Sequence, residues 1–141
     1  MPNIVTNIYK NEATGGNISL SADTFYCCLL GTTISDVDTS AIRAWTDYTD
    51  VSAYEVPNGS GYTTSGEEIT GNSLSADSTN NKTVWIGDDI TWTSSTFTVR
   101  GIAIYKDGGY PLLGVSVFDE DEEVSSSSYI LKFTNGILNI N

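Results

Sequence analysis

Carboxylates are the reactive type that this sequence concentrates. Asp88-Asp89 follows Gly87 between two apolar runs, and Asp119-Glu-Asp-Glu-Glu123 follows a third. Paired carboxyls can run glycoside hydrolysis when held roughly 5 to 10 Å apart across a cleft, one as acid and one as nucleophile or base. Nothing in the spacing predicts a cleft, so no catalytic pair is assigned. Carboxylates on loops also ligate calcium. Neither cluster follows the Asp-x-Asp-x-Asp-Gly order of a calcium loop, and both read as solvated acid.

Other chemistry is limited by residue type. The chain has no histidine, which removes the commonest general base and the commonest metal ligand. Cys27 and Cys28 are adjacent, and in a strand they point to opposite faces, a poor geometry for a mutual disulfide. An apolar strand also leaves a thiol inert, so they read as free buried thiols in a reducing compartment. No Gly-rich phosphate loop or Cys/His zinc spacing is present. The expectation is a protein that is not an enzyme, with no cofactor and no metal.

Aromatic and apolar residues supply the remaining candidates, all for contact with a partner. Trp45, Tyr48, Tyr54 and Tyr62 lie in or beside a long irregular region, residues 32 to 60. There, rings either pack inward or stand out to stack on sugars or anchor a partner. Trp85 and Trp92 sit in strand-like runs and are expected in the core. Ile4, Val5, Ile8 and Tyr9 show no periodicity that would bury them at home. Residues 1–20 are therefore expected as an arm or short strand contacting a neighbour, with residues 21–141 as the domain proper.

The elements that must position these residues are short strands. Phe97-Thr-Val-Arg-Gly-Ile-Ala-Ile-Tyr105 begins half-buried and from Gly101 becomes apolar on both faces, as a central strand does. Asp107-Gly108-Gly109 supplies a turn, and Leu113, Val115 and Val117 alternate beyond it. Phe25-Tyr-Cys-Cys-Leu-Leu30 reads as a buried strand, with shorter ones at Asn17–Leu20, Tyr62–Ser73, Thr83–Ile86 and Ile90–Thr93. Ile8–Thr14 reads either as a helical turn stopped by Gly15-Gly16 or as an extended arm, and Asp36–Trp45 as a helical turn. Residues 119–128 read as a charged connection. At the C-terminus Asn135-Gly136, between two apolar runs, predicts a type I′ hairpin with Phe133 facing Leu138 and Leu131 facing Ile140. Together these predict an all-β fold, a single-domain β-sandwich of about eight or nine short antiparallel strands with at most short helical insertions.

At 141 residues the chain is long enough to bury a real core, and its eight Tyr, four Phe and three Trp raise the buried area per residue. With 6 Lys+Arg against 18 Asp+Glu, the net charge is −12. Such a field opposes phosphate-rich partners, so neither nucleic acid nor an anionic membrane surface is an expected partner. No apolar run approaches the roughly 20 residues of a membrane span. The N-terminus has neither a basic region nor an apolar signal core, which predicts synthesis without secretion.

A series of motifs stands in a fixed order along almost the whole chain. It opens with Tyr9-Lys-Asn-Glu-Ala and Asn17-Ile-Ser-Leu-Ser-Ala-Asp-Thr-Phe-Tyr-Cys-Cys-Leu. It continues through Tyr54-Glu-Val-Pro-Asn-Gly-Ser-Gly-Tyr62, Asp88-Asp-Ile-Thr-Trp92 and Thr98-Val-Arg-Gly-Ile-Ala-Ile-Tyr105. Pro111-Leu-Leu-Gly-Val-Ser-Val-Phe118 and Gly136-Ile-Leu-Asn-Ile140 complete it, and the ordered series resembles a family of small tailed-bacteriophage virion structural proteins. The resemblance implies a virion role without catalytic residues: capsid decoration or cement, head fibre, or a minor tail or baseplate component. It implies the major capsid protein or other virion proteins as partners, and a location in the virion after synthesis in the host cytoplasm. The acid-rich residues 119–128 and the adjacent cysteines depart from the pattern. Closed symmetry is common among homo-oligomers and capsids offer three-fold positions, so a homotrimer is expected, with the aromatic region 32–60 as its contact face. A carbohydrate-binding module is the reading from a different class.

Overall fold

The fold is built around one long hairpin, because two of its strands combine a β-branched, doubly apolar stretch with a tight Gly-rich turn. In the computed structural model, which describes residues 3–133 and 136–140, these strands run Ile90–Lys106 (β6) and Leu112–Leu131 (β7). The others are β1 (Ile4–Val5), β2 (Phe25–Leu30), β3 (Glu67–Glu68), β4 (Ser73–Asp77), β5 (Lys82–Ile86) and β8 (Leu138–Ile140). Three short helices are interspersed: α1 (Asn7–Thr14), α2 (Thr39–Ala44) and α3 (Tyr48–Ser52). A 3-10 turn spans Thr32–Asp36. Strand accounts for 45% and helix for 18%, so the chain is all-β.

The strands form two antiparallel sheets, one ordered β1-β7-β6-β2-β3 and the other β4-β5-β8. Burial explains why β2 and the second half of β6 are apolar on both sides. Cys27, Leu29, Ile102 and Ile104 face one cluster, which includes Trp85 of the small sheet and Tyr62. Cys28, Leu30, Ala103 and Tyr105 face a second cluster closed by Ile34, Ile42 and Val51 of the short helices. The larger sheet is thus covered by the small sheet on one face and by helical turns on the other. Phe25 meets Trp85 edge-to-face at 4.9 Å across the first contact. Burying a side chain of this size contributes about 1.5–3 kcal/mol. The two cysteines are free, buried, and on opposite faces, as strand alternation requires.

Three expectations are corrected. Residues 119–128 are not a connection: β7 continues through them, pairing Glu123 with Thr98 and Glu122 with Val99. Between Val99 and Gly101 the register shifts, leaving residues 118–121 of β7 without partners on β6, and pairing resumes on both sides. Asn17–Leu20 forms no strand; it is irregular up to a turn that begins at Leu20, and Asp23 accepts from the Ser19 amide at 2.8 Å. The C-terminal apolar runs do not pair with each other. Leu131 lies opposite Ile90, whereas β8 pairs with β5, placing Leu138 opposite Trp85. Thr134 and Asn135 of the expected turn lie outside the described residues. The Gly136 amide donates to the Phe133 carbonyl at 2.9 Å. Residues 138–140 belong to the other sheet, and Phe133 and Ile137 are both buried in the cluster around Trp85.

Candidate functional site

Cross-strand register sets up the site. Tyr26 of β2 lies opposite Tyr105 of β6 and opposite Glu68 of β3, so all three share one face of the sheet. The Tyr26 and Tyr105 rings lie 6.0 Å apart and nearly parallel, at 18°. Helix α3 adds a third ring. Its N-cap Asp47 accepts from the Thr49 amide at 2.9 Å, and Asp50 reaches back to the Asp47 amide at 3.2 Å, a complete capping box. The helix start is tied to the turn between β6 and β7 by the Tyr48 amide, which donates to the Gly109 carbonyl at 2.8 Å. Tyr48 is thereby set 4.9 Å from Tyr105. The three tyrosines, with Ser65, Asp107 and the Gly108-Gly109 pair, line a surface pocket of about 380 Å³.

Behind this pocket a carboxylate gathers three donors. Glu55 accepts from the Tyr48 hydroxyl at 2.5 Å, the Tyr62 hydroxyl at 2.5 Å and the Ser65 amide at 2.7 Å. Tyr62 in turn accepts from the Leu29 amide at 3.1 Å, where the two-residue β3 no longer covers the edge of β2. The Tyr105 hydroxyl donates to the Ser65 carbonyl at 2.5 Å. Ser65 therefore offers its amide to one member of the group and its carbonyl to another. It does so with φ +80°, a left-handed conformation costly for a residue with a Cβ. Gly66 follows at φ +76°, and a Cβ there would sit 2.0 Å from the Cys27 carbonyl oxygen, so only glycine fits against β2.

The phenols are held protonated. Burial first, and then the hydrogen bond to Glu55, pushes Tyr48 up to about 12. Tyr62 and Tyr105 are raised as well, burial again being the main cause. Cys28, beneath the same group, is pushed well up by burial and is not a nucleophile near neutral pH. Neutral hydroxyls that donate inward leave the ring faces as the chemically available surface.

The expected partner-contact residues are distributed differently from the sequence reading. Ile4 lies opposite Val115 and is buried in the second cluster, and Val5, opposite Gly114, packs on the first. Buried Thr6 caps α1 through the Tyr9 amide at 3.2 Å and donates to the Leu112 carbonyl at 2.5 Å. Tyr9 is buried and Ile8 half-buried. The stretch expected to reach for a neighbour is an edge strand and helix of its own domain. Its apolar groups are buried by a strand more than a hundred positions away, a partner that local periodicity does not show. Trp45 and Tyr54 stack at 5.5 Å and pack half-buried on the second cluster, and Tyr62 is core. The four aromatics form no shared platform, and Tyr48 alone of them lines the pocket. Tyr26, Glu55, Ser65, Tyr105 and Asp107 were not singled out by sequence. Their one visible signal was a tyrosine in each of two doubly apolar strands.

The acidic clusters are engaged locally. Asp121 pairs with Arg100 at 3.2 Å and Glu122 accepts from the Tyr129 hydroxyl at 2.6 Å. Asp88 accepts from Thr70 at 3.1 Å and Asp89 from the Phe133 amide at 3.0 Å. Among the described residues no three or more His, Cys, Asp or Glu side chains converge as a metal site would require. A second surface cavity, about 480 Å³, lies between residues 31–32, 56–60 and 96–98. No helix among the described residues is long and apolar enough to cross a membrane. No protein-family model, curated protein or solved structure matches the chain.

Proposed function

We propose that this chain is a non-enzymatic structural protein of a phage virion, one that decorates or cements the outer surface of the capsid. The resemblance of its ordered motifs supports the virion role. The observation that carries a binding rather than a catalytic role is the Glu55 group. A carboxylate that would otherwise be a candidate base takes three donors, and the phenols around it are held neutral, so the pocket presents tyrosine rings beside the Asp107 carboxylate and no paired acid and base. The test is compositional and positional: mass spectrometry of purified virions, then a map of the particle. Density on the head surface is the expected result. Density confined to the tail, baseplate or fibres moves the protein within the virion, and absence from the particle overturns the reading.

The second cavity favours a carbohydrate-binding module as the other reading. The Thr32, Ser60 and Thr98 hydroxyls and the Asn58 amide surround it, with Val56, Pro57 and Phe97 as apolar lining. Hydroxyls over an apolar surface suit the polar edge and apolar face of a sugar ring. A glycan array decides it, with Thr98→Val as the variant. Saturable sugar binding that this substitution abolishes, in a chain that melts normally, favours the module.

A further inference from the structure

The tyrosine-lined pocket has an unusual balance of hydrogen-bonding groups. Most of its donors point into the protein. The Tyr48 hydroxyl donates to Glu55 and the Tyr105 hydroxyl to the Ser65 carbonyl. The Ser65 amide also goes to Glu55, the Gly108 amide to Asp107 Oδ1 at 2.9 Å, and the Gly109 amide to the Lys106 carbonyl at 2.9 Å. A sugar or another neutral polyol needs several donors as well as acceptors, and here these donors are already engaged, which leaves the Tyr26 hydroxyl as the lining donor without a hydrogen bond to the described residues.

What the pocket offers is electron-rich: the half-exposed rings of Tyr26 and Tyr48, with the buried ring of Tyr105 against them, and the exposed Asp107 carboxylate. The register adds Glu68 beside Tyr26 on the same face. No lysine or arginine lines the pocket, and Lys106 next to it is held away by Asp23 at 2.9 Å and the Asn17 carbonyl at 3.3 Å. A net charge of −12 adds a long-range field of the same sign. Ring faces attract cations through their quadrupole, and a flanking carboxylate strengthens the attraction. The volume of about 380 Å³ is far above the roughly 30 Å³ that one water takes in the liquid.

We propose that this pocket binds an organic cation, a quaternary ammonium or a guanidinium group, between its tyrosine rings and Asp107. The proposal rests on the reading that the pocket binds rather than reacts, and it can be tested on the purified chain without any particle. It therefore fails or stands separately from the virion role. The cation has two sources, a choline-type headgroup or an arginine side chain of a partner protein, and both share this chemistry.

The experiment is an NMR titration of the intact chain with tetramethylammonium chloride and, separately, with N-acetylarginine amide. Sodium chloride at equal ionic strength and methyl glucoside are the controls. The expected result is saturable shifts of the Tyr26 and Tyr48 ring protons, with the ammonium methyl protons moved upfield by the ring faces. Asp107→Asn keeps an acceptor for the Gly108 amide, and Tyr26 is half-exposed, so Asp107→Asn and Tyr26→Ala should melt close to the parent chain. Each should weaken cation binding on the order of tenfold. Tighter binding of tetramethylammonium points to a headgroup, and tighter binding of the arginine derivative to a protein partner; both support the site. No saturable shift with either cation overturns the proposal. Equal binding of methyl glucoside, or an unchanged affinity in Asp107→Asn, does so too.

Discussion

Replacing Glu55 tests the central group, and the size of the effect follows from who loses a partner. Glu55→Ala removes the acceptor of the Tyr48 hydroxyl, the Tyr62 hydroxyl and the Ser65 amide. Tyr48 lies at the pocket surface and can turn to water, so its loss is small. Tyr62 is 2% exposed and cannot. Hydrogen bonds to a charged group contribute about 1.5–3 kcal/mol, and a buried donor left unpaired costs about 1–3 kcal/mol. The Tyr62 and Ser65 losses together predict destabilisation by about 3–4 kcal/mol. Glu55→Gln keeps an oxygen at the position that serves both Tyr62 and Ser65, and turns an amide NH₂ toward Tyr48. Its expected cost is about 1–2 kcal/mol. In a chain of this size 1 kcal/mol moves the melting midpoint by about 3–4 °C, so the midpoints should fall by about 12 °C for Ala and about 5 °C for Gln. Circular dichroism melts at neutral pH, with reversibility checked, read both. An Ala variant within about 3 °C of the parent, or a Gln variant that falls as far as Ala, would refute the reasoning.

Three further outcomes follow from the same geometry. Tyr48 is raised to about 12 in the folded chain from an ordinary value of 10, so the stability it contributes is complete below pH 10 and is lost as pH rises toward 12; denaturant midpoints measured across that window should decline, and a flat profile contradicts it. Gly66→Ala combines a left-handed backbone with a Cβ placed 2.0 Å from a carbonyl oxygen, whereas Gly16→Ala has the same kind of φ, +77°, and nothing within 4 Å; the first should cost about 3 kcal/mol or more and the second about 1–2 kcal/mol, and equal melting midpoints would show that the close approach does not matter. Deleting residues 1–9 should lower the melting midpoint by several degrees, because it removes β1, the Thr6 cap and the buried side chains of Ile4 and Tyr9; an unchanged melt would return the segment to the role of a detachable arm.

Local sequence determined those elements whose causes are local. The run Phe25–Leu30 is apolar and six residues long, and it is a buried strand with the same bounds. Gly15 ends α1 where the sequence places a stop, and Asp107-Gly108-Gly109 turns the central hairpin. Alternation along a strand also dictates that Cys27 and Cys28 face different cores. What alternation leaves open is which strand lies alongside, and there the tertiary structure decided. Asn135-Gly136 is a hairpin signal by local preference, yet the following strand pairs with β5, because burying Phe133 and Ile137 against Trp85 outweighs a turn preference. The acidic run 119–123 lies within a strand although its composition is that of a loop, since β6 pairs with its last two residues, Glu122 and Glu123. The pocket is of the same kind. Tyr26 and Tyr105 are neighbours only through the register of β2 with β6, and Tyr48 on α3, with Glu55 and Ser65 on loops, reaches them along a course set by what these segments pack on. A side chain's own neighbours in sequence state which face it takes, and the pairing of distant strands states what it meets there.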